Sequence, residues 1–246
     1  MVGLGPGGTH HLTPAARAAL AQAEVIAGYK GYMDLVEPEL LEGKELISTG
    51  MTGEVDRAGR ALDAALDGKR VAVVSSGDPG VYAMAGLVLE MAEARGLLDE
   101  IGIEVVPGVP AFCAAAALLG APLMHDFASV SLSDLLTPWP LIEKRLDAAA
   151  SADFVIALYN PRSKRRTGHL ERALEIVSRH RDPATPVGVV GRAMRAGQSV
   201  TRTTLDGVDP EIVDMQTVII IGNSSTRAAG GFMLTPRGYE GKYELG

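Results

Sequence analysis

One acidic residue sits in a setting built for close ligand contact. It is Asp78, within Ser75-Ser76-Gly77-Asp78-Pro79-Gly80. The preceding run, Val71 to Val74, is small and β-branched and predicts a strand buried on both faces. Glycine lets backbone approach a ligand closely, and proline stiffens the turn. Loops at the carboxyl ends of parallel strands are where open α/β sheets bind small molecules. A turn aspartate also bonds its own backbone. Asp78 is therefore either a ligand contact or a turn former. The same grammar returns at Ile103 to Val106, a strand leading into Pro107-Gly108-Val109-Pro110 and the apolar helix AFCAAAALL. Two such turns predict two walls of one pocket.

Basic residues gather after three further candidate strands. Arg162, Lys164, Arg165 and Arg166 follow Phe154 to Tyr159; Arg192 and Arg195 follow Val187 to Val190; Arg227 follows Val218 to Ile221. Guanidinium forks match carboxylates in geometry and charge. A basic run is also an ordinary solvated surface, but the grouping at strand ends predicts that some of these side chains reach a ligand. Arg17, Arg57 and Arg60 lie on helices and are expected to face solvent. Acid–base work falls most often to histidine. His125, Asp126, Ser129 and Tyr159 are candidates for it, with His10 and His11 beside the first glycine loop, although a lone histidine is most often packed or exposed for no chemical reason. Cys113, on an apolar helix, is expected in the core.

These residues need elements to hold them. Val2 to Gly8, VGLGPGG, is a strand end and a glycine turn that matches G-x-G-x-x-G through Gly3, Gly5 and Gly8. The match is weak alone. The next helix opens only at Thr13-Pro14, an N-cap and first residue. The second strand, Glu24 to Ala27, runs into Gly28-Tyr29-Lys30, with no acid for a ribose. Ile47 to Met51 predicts a short strand and loop, Glu54 to Ala65 a helix, and Val81 to Ala94 another. Gly120 to Pro140 carries three prolines and the only tryptophan, Trp139, and reads as a crossover between two sheets. Beyond it come helices Leu141 to Ala150 and Leu170 to Arg179, the strands named above, an alternating strand Ser199 to Leu205, a short turn or helix at Val208 to Asp214, and a Gly- and Pro-rich tail from Ala228 expected to be loosely held. Alternating strands and helices on both sides of the crossover predict an α/β protein of two domains, residues 1–112 and 113–238, with a tail at 239–246. A ligand cleft is expected between them.

The bulk composition narrows the function. A chain of 246 residues with 47% apolar content holds one large domain or two small ones. No run approaches a membrane span, and no charged-then-apolar leader follows Met1, so a cytoplasmic protein is expected. One cysteine excludes an internal disulfide and a thiolate zinc cluster. A net charge of −7 argues against a nucleic-acid binder. No G-x-x-x-x-G-K-[ST] occurs, which excludes a P-loop NTPase.

Taken together and in order, VGLGPG, SSGDPGVY, VVPGVPAF, ALYNPRSKRR, VVGRA and TVIIIGNSSTR resemble the tetrapyrrole methylases, the class III S-adenosylmethionine-dependent methyltransferases. The resemblance spans nearly the whole chain and departs at the start, where few residues precede Gly3. It implies two α/β domains, a homodimer, and a methyl donor held in folded form between the domains, leaving S-adenosylhomocysteine. It implies that Gly77, Asp78, Val81, Tyr82, Pro110, Ala111, Leu158, Tyr159, Ala193, Thr217 and Val218 hold the donor. It further implies that Gly5, Pro6 and Gly7 face an acidic tetrapyrrole of the precorrin type, whose carboxylates would meet Arg162, Lys164, Arg165, Arg192, Arg195 and Arg227. His125 and Tyr159 are the catalytic candidates. No metal, membrane or nucleic-acid partner is implied. Two other classes compete: a nicotinamide-dependent oxidoreductase using Gly3, Gly5 and Gly8, which would retain NAD, and a non-catalytic tetrapyrrole carrier, whose pigment binding would ignore the donor.

Overall fold

A computed structural model describes residues 1–163 and 165–244. The chain divides into two compact units, Met1–Ala111 and Phe112–Gly246.

The first unit contains β1 (Val2–Gly3), α1 (Pro14–Gln22), β2 (Val25–Tyr29), α2 (Lys30–Met33), α3 (Pro38–Leu41), β3 (Glu45–Thr49), α4 (Glu54–Leu66), β4 (Val71–Ser75) and α5 (Met84–Ala94). Its four strands are all parallel, in the order β1-β4-β2-β3. Strand alternation sorts the core into two layers. Val25, Ala27 and Val73 pack with Ala58, Leu62, Met84 and Val88 of α4 and α5. Ile26, Ala72 and Val74 pack with Ala16 and Leu20 of α1 and with Met33 and Leu40. Helices thus cover both faces, as a parallel sheet requires. The Thr13 hydroxyl caps α1 by accepting from the Ala16 N–H at 3.1 Å, with Pro14 at the first position.

Two local expectations fail here. Ile103 to Val106 forms no ladder strand: Val106 alone bridges Val2. The reason is that β1 has only two residues to pair with, while Val105 is 45% exposed and has no layer to join. The helix after the Asp78 turn starts at Met84 rather than Val81, because Tyr82 sits at φ 52° and Ala83 is extended.

In the second unit α6 (Ala111–Leu119) leads into β5 (Gly120–Ala121), β6 (Phe127–Ser131), α7 (Trp139–Ser151), β7 (Val155–Tyr159), α8 (His169–Ser178), β8 (Pro186–Gly191), β9 (Ser199–Thr204), β10 (Thr217–Ile221), β11 (Arg227–Ala229) and β12 (Phe232–Leu234). The main sheet runs β6-β7-β10-β8-β9. Only β6 and β7 are parallel; β10 lies antiparallel to both β7 and β8, and β9 is antiparallel to β8. One face buries Ile156, Leu158, Val187, Val189, Ile219 and Ile221 under Ile142 and Leu146 of α7 and Leu170 and Ile176 of α8. On the other face Leu119 of α6 lies over Gly188.

Three further expectations are corrected. The chain after Ala228 is an ordered hairpin of β11 and β12 joined to β5, and Thr235 behind it is fully buried with its hydroxyl 2.8 Å from that of Thr226. Cys113 is exposed rather than core, because α6 turns Ala114, Ala115 and Ala116 inward instead. Arg57 does not face solvent; it is 2% exposed.

A Cβ on Gly188 would lie 2.2 and 2.5 Å from the two Leu119 methyls. Gly188→Ala is expected to cost about 1–3 kcal/mol by overpacking. Combined with Leu119→Ala it should cost less than the two single losses summed, since one relieves the other. Urea midpoints of the three variants check this.

Candidate active site

Chemistry in the first unit gathers at the carboxyl edge of its parallel sheet. There the chain beyond β1, the chain beyond β4 and the turn Pro107 to Pro110 meet backbone against backbone. Gly5 and Gly77 form a reciprocal pair, with the Gly5 N–H on the Gly77 carbonyl at 3.0 Å and the Gly77 N–H on the Gly5 carbonyl at 2.6 Å. Gly3 donates to Val106 at 3.0 Å. A Cβ on Gly108 would meet the Gly77 carbonyl oxygen at 2.1 Å, and one on Gly3 would meet the Gly108 nitrogen at 2.5 Å. Only glycine fits at either place. Gly5 and Gly77 also hold φ of 65° and 70°, where L side chains are strained.

Asp78 closes this arrangement. Its Oδ1 accepts from the Gly80 N–H at 2.8 Å and its Oδ2 from the Gly108 N–H at 3.2 Å. The first bond is the turn-forming role; the second ties one turn to the other. Gly77, Pro110 and Ala111 lie close together, with a Cβ on Gly77 at ordinary contact distance from the latter two, 3.6 to 3.7 Å. Val81 is half-buried and Tyr82 exposed beside the same turn, while Gly5, Pro6 and Gly7 are buried. His11 leans its Nδ1 on the Gly7 carbonyl at 3.2 Å, and His10 is exposed.

In the second unit, strand direction sorts the predicted residues. Register pairs Ile219 with Leu158 and Thr217 with Gly191. The end of β7, the end of β8 and the start of β10 therefore share one edge. Tyr159, Ala193 and Thr217 lie there, with Arg162, Arg192 and Arg195. The Tyr159 hydroxyl accepts from the Phe112 N–H at 3.0 Å. Leu158 and Val218 are buried within the sheet, Leu158 among the α7 and α8 core. Asn160, at φ 51°, donates to the Ser131 hydroxyl at 2.9 Å.

The arginines at this edge are already matched. Arg162 reaches Glu211 at 2.7 Å and the Pro210 carbonyl; hydrogen bonding to Glu211 raises its guanidinium above the ordinary value. Arg192 pairs with Asp214 at 2.8 Å. Arg166 is nearly buried, holding the Leu132 and Asn160 carbonyls at 2.9 and 3.3 Å with Asp134 at 4.0 Å. Arg165 is exposed. Lys164 lies outside the described residues.

Three candidates are not brought to this edge. His125 and Asp126 precede β6, and Val155 donates to the Asp126 carbonyl, so both stand at the opposite end of the sheet from Tyr159. A strand of this length separates the ends by about 17 Å. His125, Asp126, Asp153, Asn223 and Arg237 instead line a separate open cleft of about 430 Å³. Arg227 follows the far end of β10 and pairs with Glu240 at 2.7 Å. Alternation of β6 and β7 says nothing about sheet order, which is why the sequence alone grouped these residues with the others.

Arg57 is the residue that sequence reasoning misplaced most. Its spacing from Ala61 and Ala64 puts it on the buried face of α4, a signal that was available.

The sequence model of the tetrapyrrole (corrin/porphyrin) methylases matches residues 1–209, and the chain belongs to that family. Among its relatives, the cobalt-factor III methyltransferase of Priestia megaterium is 49% identical over the whole of this chain, which spans 46% of that protein's length. The probable cobalt-factor III C(17)-methyltransferase of Salmonella typhimurium is also 49% identical, over 97% of this chain and 98% of its own. The crystal structure of the methyltransferase CobJ superposes with a TM-score of 0.91 at 43% identity, covering 96% of this chain and 98% of its own. No helix among the described residues is long and apolar enough to cross a membrane.

Asp78→Ala should cost about 1–3 kcal/mol by stranding the part-buried Gly108 N–H, while the exposed Gly80 N–H passes to water. Asp78→Asn, which keeps one acceptor, should cost less, and Gly108→Ala at least as much as Asp78→Ala. Urea denaturation at constant slope orders the three.

Proposed function

We propose that this chain is an S-adenosylmethionine-dependent methyltransferase that adds a methyl group at C17 of a precorrin-3B-type macrocycle in cobalamin biosynthesis, with contraction of the ring. The observation that carries this is near-complete coverage, at 49% identity, of a relative named for C17 methylation. Relatives named for cobalt-factor III range from 42% to 49% identity, so a cobalt-bearing macrocycle is the alternative substrate.

The residues present fit a folded nucleoside donor. Gly77 carries no Cβ, and the position one would take lies 3.6 to 3.7 Å from the Pro110 and Ala111 backbone, so a ligand atom can make ordinary contact there. The donor supplies a sulfonium methyl, so the protein needs neither a metal nor a covalent nucleophile for transfer. The task of the chain is to align an already nucleophilic ring carbon and exclude water. Turns fixed by backbone contacts suit that task, because they do not rearrange when a ligand arrives. Carboxylates of the macrocycle are assigned to Arg162, Arg192 and Arg195, which share an edge with Tyr159. Ring contraction driven by a C20 hydroxyl requires a group to accept or orient a proton. Tyr159 is assigned that role over His125, which stands at the other end of the sheet.

Purified protein given S-adenosylmethionine and either precorrin-3B or cobalt-factor III should yield a product one methyl heavier, and the faster of the two reactions identifies the substrate. Retained NAD with no methyl transfer would overturn the reading. Tyr159→Phe should slow turnover about a hundredfold or more, while His125→Ala leaves it near native.

A further inference from the structure

Among the described residues Arg57 and Arg181 are the buried arginines, at 2% and 7% exposure, and they are treated in opposite ways. Arg181 is saturated. It donates to the carbonyls of Ala150, His180, Phe154 and Gly222 at 2.6 to 3.3 Å, and Asp153 lies 3.3 Å away. Arg57 has none of this. Its Nη1 donates to the Thr49 hydroxyl, its Nη2 lies 3.4 Å from the Met84 sulfur, and its Nε has no partner. Among the described residues no carboxylate forms an ion pair with it.

A guanidinium buried without an anion is costly. A merely structural arginine would be served as Arg181 is. The position of Arg57 is also particular. Thr49 ends β3, and Met84 opens α5 just after the Asp78 turn, so the guanidinium lies at the carboxyl edge of the parallel sheet. α4 and α5 both begin beside it; the N-cap of α4, Gly53, offers no side-chain acceptor, whereas in α5 the Met84 N–H reaches the Ser75 hydroxyl at 3.4 Å. The loop Gly50 to Gly53 folds around the same Thr49 hydroxyl, which lies 3.4 and 3.3 Å from the Gly50 and Gly53 carbonyls. A Cβ on Gly50 would meet nothing, Thr52 is held at φ 70°, and Met51 is 66% exposed.

We propose that Arg57 is a carboxylate-binding residue, exposed to its ligand by displacement of the Gly50–Gly53 loop. This rests on the methyltransferase reading only for the source of the carboxylate, which is either the acidic macrocycle or the amino-acid end of the methyl donor. The guanidinium exchanges the weak Thr49 and Met84 contacts for a bidentate carboxylate pair.

Arg57→Met separates the alternatives, since methionine fills similar space without charge. The variant is expected to be at least as resistant to urea as the native protein, because a buried unpaired charge has been removed. Citrate, compared with chloride at equal ionic strength, should raise the melting temperature of the native protein and not of the variant. Uroporphyrin III and its methyl ester probe the macrocycle; S-adenosylhomocysteine and methylthioadenosine, which lacks the amino-acid carboxylate, probe the donor. Loss of about tenfold or more in uroporphyrin III affinity alone assigns Arg57 to the macrocycle. The same loss for S-adenosylhomocysteine, with methylthioadenosine unchanged, assigns it to the donor. If the native protein binds neither probe, the methyltransferase reading fails while the citrate shift still decides on Arg57. Should Arg57→Met not fold, Arg57→Lys, which keeps charge but loses the fork, must show a smaller citrate shift than native. A citrate shift equal in native and variant proteins, with all four probes bound alike, would overturn the proposal.

Discussion

Three stretches of main chain in the first unit lie so close that no side chain fits between them. The Gly77 carbonyl oxygen stands where a Cβ on Gly108 would, and the Gly108 amide nitrogen where one on Gly3 would. That contact fixes the turns relative to the sheet before any ligand is considered. It also explains why a strand of two residues suffices for β1: Gly3 and Leu4 continue its bonding by donating to Val106 and Ser75. Asp78 completes the arrangement electrostatically, one carboxylate receiving an N–H from each of two turns. A site assembled this way is stiff because its parts are backbone, whose geometry is set by covalent and hydrogen-bonded constraint rather than by rotamer choice.

The second unit solves a different problem. Its sheet reverses direction at β10, so loops following β7 and β8 come to the same edge although these strands do not adjoin. The reversal sends the chain after β10 to the opposite edge. Residues that look equivalent in sequence, each a basic group just past a buried strand, are thereby divided. Arg162 and Arg192 go one way and Arg227 the other. Strand polarity, not distance along the chain, makes the division.

This is where the sequence stopped being legible. Buried strands such as Val71 to Val74 and Phe154 to Tyr159 announce themselves by composition, and Thr13-Pro14 announces a helix start. The turns were legible too, since glycine and proline have few other reasons to cluster. What period and composition do not encode is strand order and direction, and His125 and Arg227 were misplaced for that reason. Ile103 to Val106 has the composition of a strand, yet its only neighbour is too short to pair with it. The hairpin near the end was hidden because its strands are three residues each, too short to show a period, so their order comes from β5 and the buried Thr226–Thr235 contact.

Charge is where these lessons meet. Arg162 and Arg192 are held by Glu211 and Asp214 on partly exposed side chains. Such pairs are weak in water and exchangeable, and on the proposed reading carboxylates of the macrocycle take the place of these two acids. Arg181 is the structural extreme: burial lowers its guanidinium, and four carbonyls together with Asp153 hold it, leaving nothing to exchange. Arg57 belongs to neither group. It has burial without saturation, at the edge where a parallel sheet meets its ligands. Folding alone gains nothing from that combination, because an apolar residue of the same volume would pack there without the desolvation cost. A group retained against its contribution to stability is accounted for by binding.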